Sequence, residues 1–454
     1  MNQDEKNNKL KKIVASSLSN GLQGEIFTPG DKSISHRCII LSSLAIGESK
    51  INGLLESADV ICTIKAMKAL GSNINLKSNI CIVNGIGIGS LVEPSAPLDF
   101  GNSGTAARLI MGLVATHPIK SVLIGDESLS KRPMKRVVDP LIEFGAQFNL
   151  NSLEFFPITV NGTRLPIPIN YETTVPSAQI KSAILLAGLN TPGVTSVIEN
   201  QKTRDHTERL LKLYGYDVGI DEKNGSTKIS ITGQKNLKSV DINIPGDPSS
   251  AAYPIVGGLI IKNSNLTVRN VLINPTRDGI YKSLIEMGAK IEYVNQRFEA
   301  GEEVYDIKVQ SSNLKAIDIP ASRAPSMIDD YPVLAVAASV ADGTSIFRGL
   351  SELKVKESNR LLGIKNFLEI NGVEVSINSN DLIIKGNPDA IVGGGMVNTN
   401  LDHRIAMSSL VLGLISKRPI SIDDAETINT SFPGFINIMN NIGAKINKME
   451  PRVK

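Results

Sequence analysis

Between Thr28 and Arg37 the chain sets Lys32, Ser33, Ser35, His36 and Arg37 directly after a Pro29-Gly30 turn. An apolar run from Leu22 to Phe27 reads as a strand leading into the turn, and a helix begins near Ser33. A helix N-terminus offers unpaired N–H groups and a positive dipole end. Lys32 and Arg37 placed there make an anion site. A shadow of the motif returns at Pro245-Gly246-Asp247-Pro248-Ser249-Ser250, with the same turn and hydroxyls but no cation.

More polar clusters open apolar helices. In Gly101-Asn102-Ser103-Gly104-Thr105 the glycines let backbone N–H groups approach a ligand, although the segment equally serves as a plain N-cap. Lys131 to Arg136 is a basic run of the kind that usually faces solvent, but Arg132 precedes Pro133 and is held extended. Pro176-Ser177-Ala178-Gln179-Ile180-Lys181 brings hydroxyl, amide and ammonium groups to one helix start, and Arg204-Asp205-His206-Thr207-Glu208 either caps a helix or contacts a ligand. The second half adds carboxylates. Asp329-Asp330 opens a helix where Asp is a favourable cap, Lys356, Glu357 and Arg360 place the two cations on one helix face, and Asp402-His403-Arg404 caps another helix. Each segment alone is explained as a cap or a solvated face; together they start several buried helices with cations. Gly85-Ile86-Gly87-Ile88-Gly89 mimics a dinucleotide loop, but no helix follows it. The four histidines have no metal-ligand spacing.

The elements that must hold these groups recur along the chain. Six times an amphipathic helix ends at a glycine and a strand follows, at Gly71, Gly145, Gly215, Gly288, Gly372 and Gly443, at intervals of 70 to 84 residues. Each glycine reads as a left-handed C′ cap. Other helices are apolar almost all round: Ala106 to Thr116, Ala178 to Leu189, Ser249 to Ile260, Asp330 to Val340 and Arg404 to Ile415. Helices without a wet face are buried, whereas the alternating strands are half exposed. The patterns therefore suggest an α/β protein with helices inside and sheets outside. The two Pro-Gly-Asp turns divide the repeats three and three. Residues 30–245 are expected to form lobe two, 1–29 with 246–454 lobe one, and a hinge falls near 28–30 and 245–247.

At 454 residues the chain is too long for one ordinary core. A net charge of +3, no Trp and 4% aromatic residues exclude a nucleic-acid coat and base-stacking platforms. Cys38, Cys62 and Cys81 form no CxxC, which reads as a reduced cytoplasmic chain. Met1 to Lys12 lacks the apolar core of a signal peptide, and no run reaches the length of a membrane span, so no membrane partner is expected.

Pro29 to Arg37, Asn102 to Arg108, Arg132-Pro133-Met134, Lys356 to Arg360 and Asp402 to Met407 occur in that order. The set closely resembles the 3-phosphoshikimate 1-carboxyvinyltransferase (enolpyruvylshikimate-phosphate synthase) family, from about Gly24 to Phe435. The resemblance implies two inside-out α/β barrel lobes of three βαβαββ units each, closing over their substrates. The implied reaction moves the enolpyruvyl group of phosphoenolpyruvate to the 5-hydroxyl of shikimate 3-phosphate by addition and elimination, in a monomer with no metal or other cofactor. Carried over by motif, Ser33, Arg37, Ser177 and Gln179 hold shikimate 3-phosphate, and Lys32 touches both substrates. Ala178 and Arg204 complete the substrate-binding set. Asn102, Gly104, Arg132, Arg360 and Arg404 surround phosphoenolpyruvate. Asp329 takes the 5-hydroxyl proton, Glu357 protonates the methylene carbon, and Lys356 orients the acceptor and supports Asp329.

The chain departs from some members in having no Lys before Phe432-Pro433 and Ala178 where another serine is common, which matches the class II branch. Some glyphosate-tolerant members carry Ala where Gly104 stands. The rival with the same fold and donor, the UDP-N-acetylglucosamine enolpyruvyl transferase, typically carries a loop Cys near the position of Arg132; here no Cys follows Cys81. An RNA 3′-phosphate cyclase fits the near-neutral charge poorly. A catalytically dead anion-binding scaffold would not need Lys32, Asp329 and Glu357 together.

Overall fold

The computed structural model describes residues 13–77, 80–150, 154–389 and 391–448. Within them the helices are α1 (Lys32–Leu44), α2 (Ala58–Ala69), α3 (Gly104–Ala115), α4 (Lys135–Glu143), α5 (Ala178–Leu189), α6 (His206–Leu213), α7 (Pro248–Ile260), α8 (Gly279–Glu286), α9 (Tyr331–Ser339), α10 (Arg360–Glu369), α11 (His403–Gly413) and α12 (Phe435–Asn441). They alternate in character. Odd-numbered helices are buried almost throughout: α9 and α11 at every position, α3 everywhere but Thr105. Their sequences offer no polar face to water, so they form the core. Even-numbered helices keep exposed positions. Each ends just before one of the six glycines, whose φ lies between +76° and +107°. A side chain there is strained, which is why the residue that turns each helix into its strand is glycine.

The sheets repeat one topology. Asn170–Glu172 pairs in parallel with Val194–Glu199, which pairs antiparallel with Ser226–Thr232, itself antiparallel to Val218–Lys223. The same order joins Leu98–Asp99, Lys120–Ile124, Ile158–Asn161 and Gln147–Leu150. It returns in Asp318–Ile319, Thr344–Phe347, Asp381–Lys385 and Glu374–Asn378. Each parallel step needs a crossover, and a buried odd-numbered helix makes it. Elsewhere distant segments complete the pattern. Leu237–Lys238 and Ile242–Asn243 pair with Ala45–Asn52, Gln23–Phe27 pairs with Asn265–Leu272, and Val14–Ser17 lies between Ile420–Ile422 and Lys445–Lys448.

The chain is therefore a mixed α/β protein, and its contacts gather into two compact units. Unit 1 comprises residues 1–29, 246–297 and 304–454; unit 2 comprises 30–245 and 298–303. The sequence pattern assigns 298–303 to lobe one. They group with unit 2 because buried Glu302 meets His206 Nδ1 at 2.7 Å and Arg209 Nε at 3.4 Å. No helix among the described residues is long and apolar enough to cross a membrane.

Candidate active site

In unit 2, Asp31 caps α1: its carboxylate accepts the Ile34 N–H at 2.7 Å. Lys32 and Ser33, in the first turn, are half-buried, and Lys32 pairs with Asp59 of α2. One turn on, buried Arg37 donates from Nε to Thr207 Oγ1 at 2.7 Å, from Nη2 to Ser182 Oγ at 2.7 Å and from Nη1 to the Ser33 carbonyl at 3.0 Å. Thr207 lies in α6 and Ser182 in α5, so three helices aim one guanidinium. His36 faces the core instead. Its Nδ1 is 2.6 Å from Thr63 Oγ1, and burial, then Lys32 and Arg37, hold its pKa well below the ordinary histidine value.

The start of α3 carries the next set. Ser103 Oγ accepts the Ala106 N–H at 3.3 Å, so the Asn-Ser-Gly segment does cap its helix. It also meets a cation: Asn102 donates to Asp126 at 2.8 Å and accepts from Arg132 through its side-chain oxygen. Gly104 sits against the same group, and a Cβ built on it would stand 3.0 Å from Arg108 Nη1 and 3.1 Å from Arg132 Nη1. The basic run divides. Lys131 and Lys135 are exposed and pair with Glu127 and Asp139 one turn away, whereas Arg132 is extended (φ −89°, ψ 133°) and buried. At α5, Ser177 and Ala178 are half-buried, and the Ser177 side chain makes no capping bond. Gln179 accepts from Arg108 at 2.6 Å and donates to Thr105 at 2.9 Å, tying α5 to α3. Arg204 is half-buried just before α6. Asp205 does not cap α6; its carboxylate accepts from Arg209 at 2.8 Å. Asp205, His206 and Glu302 are close enough to share a metal ion, but Arg209 already supplies their cation.

In unit 1 the centre is Arg360, fully buried. Its Nε meets Asp402 at 2.9 Å, Nη1 meets Asp329 at 3.1 Å and Nη2 meets Glu357 at 2.5 Å. Arg404 Nη1 donates to the Asp329 carbonyl at 3.0 Å and lies 3.5 Å from Asp330. Burial alone would make both arginines less basic. Asp402, Glu357 and Asp329 around Arg360, and Asp329 and Asp330 around Arg404, outweigh it and keep both charged. Asp329 and Glu357 are half-buried, so the arginines position carboxylates that a solute can reach.

Two expectations fail here. Lys356 and Arg360 do not share a helix face. Asn359 caps α10 by accepting the Leu362 N–H at 3.2 Å, and Lys356 lies before that cap in extended backbone. Burial lowers its pKa below the ordinary lysine value. Nor does Asp330 cap α9. Its carboxylate turns toward Arg404, 3.5 Å away, and burial raises its pKa. Asp59 on Lys32 and Ser182 on Arg37 carried no signal in the sequence, being ordinary helix residues until the helices meet, and Thr207 stood in the Arg204 to Glu208 segment with no sign that it serves Arg37. Asp402 was legible only as a cap. Its Oδ1 does accept the Arg404 N–H at 2.9 Å, but Oδ2 also takes Arg360 and Ser358, each at 2.9 Å.

Residues 17–439 match the family model described as EPSP synthase (3-phosphoshikimate 1-carboxyvinyltransferase). The chain is 52% identical over 430 residues to the 3-phosphoshikimate 1-carboxyvinyltransferase of a Pseudomonas species, covering 94% of this chain and 96% of that protein. The protein of that name from Brucella melitensis biotype 1 is 52% identical with the same coverage. A solved EPSP synthase from Acinetobacter baumannii superposes with a TM-score of 0.86 at 38% identity, over 97% of this chain and 100% of that one.

Proposed function

The chain belongs to the EPSP synthase family, and we infer that it transfers the enolpyruvyl group of phosphoenolpyruvate to the 5-hydroxyl of shikimate 3-phosphate, releasing phosphate. It is a 3-phosphoshikimate 1-carboxyvinyltransferase of aromatic amino acid biosynthesis. The observation that carries this reading is Arg360, which gathers Asp329, Glu357 and Asp402 in a chain 52% identical to enzymes of that name.

In this reading unit 2 binds. Ser33, Arg37, Ser177, Ala178, Gln179 and Arg204 hold shikimate 3-phosphate, Lys32 reaches both substrates, and Asn102, Gly104 and Arg132 meet phosphoenolpyruvate. Two dianionic phosphates and two carboxylates suit helix starts backed by guanidiniums. Unit 1 supplies the proton chemistry. Asp329 takes the 5-hydroxyl proton as its oxygen bonds C2 of phosphoenolpyruvate, and Glu357 delivers a proton to C3. The tetrahedral adduct then loses phosphate by C–O cleavage, and Glu357 takes a proton back from the new methyl group to restore the double bond. Arg360 and Arg404, the rest of the phosphoenolpyruvate set, stay charged throughout and stabilise its anionic groups. Lys356 supports Asp329 and orients the acceptor. The buried odd-numbered helices and outer sheets suit an inside-out barrel in each unit, and the enzyme acts as a cytoplasmic monomer.

The test is phosphate release with phosphoenolpyruvate and either shikimate 3-phosphate or UDP-N-acetylglucosamine. Release is expected only with the first acceptor, and its absence there overturns the reading.

A further inference from the structure

Lys181 has no part in the proposed reaction, yet it lies next to Ser182, on which Arg37 rests. It is fully buried in α5, where a lone ammonium would be strongly disfavoured. Its Nζ lies 2.7 Å from Glu199 and 2.7 Å from Glu208, both buried, and 3.4 Å from the Thr203 carbonyl. One cation thus faces two carboxylates. Burial raises the Glu199 pKa. Such a cluster is a costly way to hold a fold, because apolar side chains of similar volume would pack at least as well. Its neighbours show what it fixes. Lys181 and Glu208 join α5 to α6 one position along from Ser182 and Thr207, whose hydroxyls meet at 2.7 Å and both accept from Arg37. Glu199 ends its strand and accepts the Thr203 N–H at 3.1 Å, anchoring the turn that carries Arg204.

We propose that Lys181, Glu199 and Glu208 form a positioning clamp that sets Arg37 and Arg204 for shikimate 3-phosphate without touching it. The clamp rests on the proposed substrate assignment, and its geometry predicts an effect on one substrate only.

The experiment measures steady-state kinetics, calorimetric binding of shikimate 3-phosphate and Tm for the full chain and its variants. Lys181→Met is expected to raise KM and Kd for shikimate 3-phosphate roughly tenfold, because a misaimed guanidinium loses its contact. KM for phosphoenolpyruvate is expected to stay within about twofold. Glu208→Gln keeps the Lys181–Glu199 pair and is expected to give a smaller rise of the same kind. A fall in Tm with both KM values unchanged, or an equal loss for both substrates, overturns the clamp. Should Lys181→Met fail to fold, Glu208→Gln decides in the same terms. Absent wild-type turnover with shikimate 3-phosphate would remove the functional reading instead, whereas normal wild-type turnover with unaffected variants removes only the clamp.

Discussion

Asp31 and Asp247 begin two helices in the same way and to different ends. Each follows a Pro-Gly turn, and each carboxylate accepts a first-turn N–H at 2.7 Å, from Ile34 in α1 and Ser249 in α7. Beyond the cap the two starts diverge. The first turn of α1 carries Lys32 and Ser33, both half-buried, with Arg37 one turn behind. The first turn of α7 carries Pro248, Ser249 and Ser250, all buried. There Arg277 donates to Asp247 at 3.3 Å and to Ser249 at 3.1 Å. At α7 the cap and the Ser249 hydroxyl are both engaged by buried Arg277. The two starts thus differ in exposure: α1 keeps Lys32 and Ser33 half-buried, whereas α7 encloses its own polar groups.

If unit 2 binds and unit 1 reacts, the sharpest way to break that division is Glu357→Gln. It is expected to lower kcat by about 10²–10⁴-fold while shikimate 3-phosphate binding, followed by calorimetry, holds. A comparable loss of binding would show that the carboxylate serves the ground state. Lys356 sharpens the same division through pH. Because burial lowers its pKa, its charge is present below that value and lost as pH rises through it. The alkaline limb of kcat/KM is expected to start below the ordinary lysine range, and Lys356→Arg, which stays charged, is expected to move it upward. Identical limbs in both proteins would remove Lys356 from the chemistry.

Smaller effects belong to unit 2 and to the caps. Gly104→Ala places a methyl 3.0–3.1 Å from the Arg108 and Arg132 guanidiniums. It is expected to raise KM for phosphoenolpyruvate several-fold and leave that for shikimate 3-phosphate alone; equal rises would argue for a general distortion of α3. Loss of either cap, Asp31→Ala or Asp247→Ala, is expected to cost about 1 kcal/mol in denaturant unfolding. Asp247→Ala should be the more costly, because it also strips a partner from buried Arg277.

The repeat was legible because its markers are local. A glycine that must adopt positive φ after an amphipathic helix reads directly from the sequence, and so does a helix with no polar face. The same holds for Arg132, whose extended backbone follows from Pro133. What failed had two causes, a local cap that was overlooked and partners brought from afar. Lys356 seemed to share a face with Arg360 only while the Asn359 cap between them went unseen. Asp330 looked like a cap because nothing local announces Arg404 as its partner. Lys181 sat in a row of ligand-like groups, yet its two glutamates arrive from a strand and a second helix.

Arg37 and Arg277 offer the most direct test of the division between the helix starts. Both are buried and both rest on hydroxyl groups, Arg37 behind α1 and Arg277 beside α7. The measurement is the calorimetric Kd for shikimate 3-phosphate in Arg37→Met and Arg277→Met, with Tm recorded alongside. Loss of a charged hydrogen bond predicts a Kd roughly 10–100-fold weaker for Arg37→Met, while Arg277→Met lowers Tm and leaves Kd unchanged. Equal Kd values in the two variants would contradict that division.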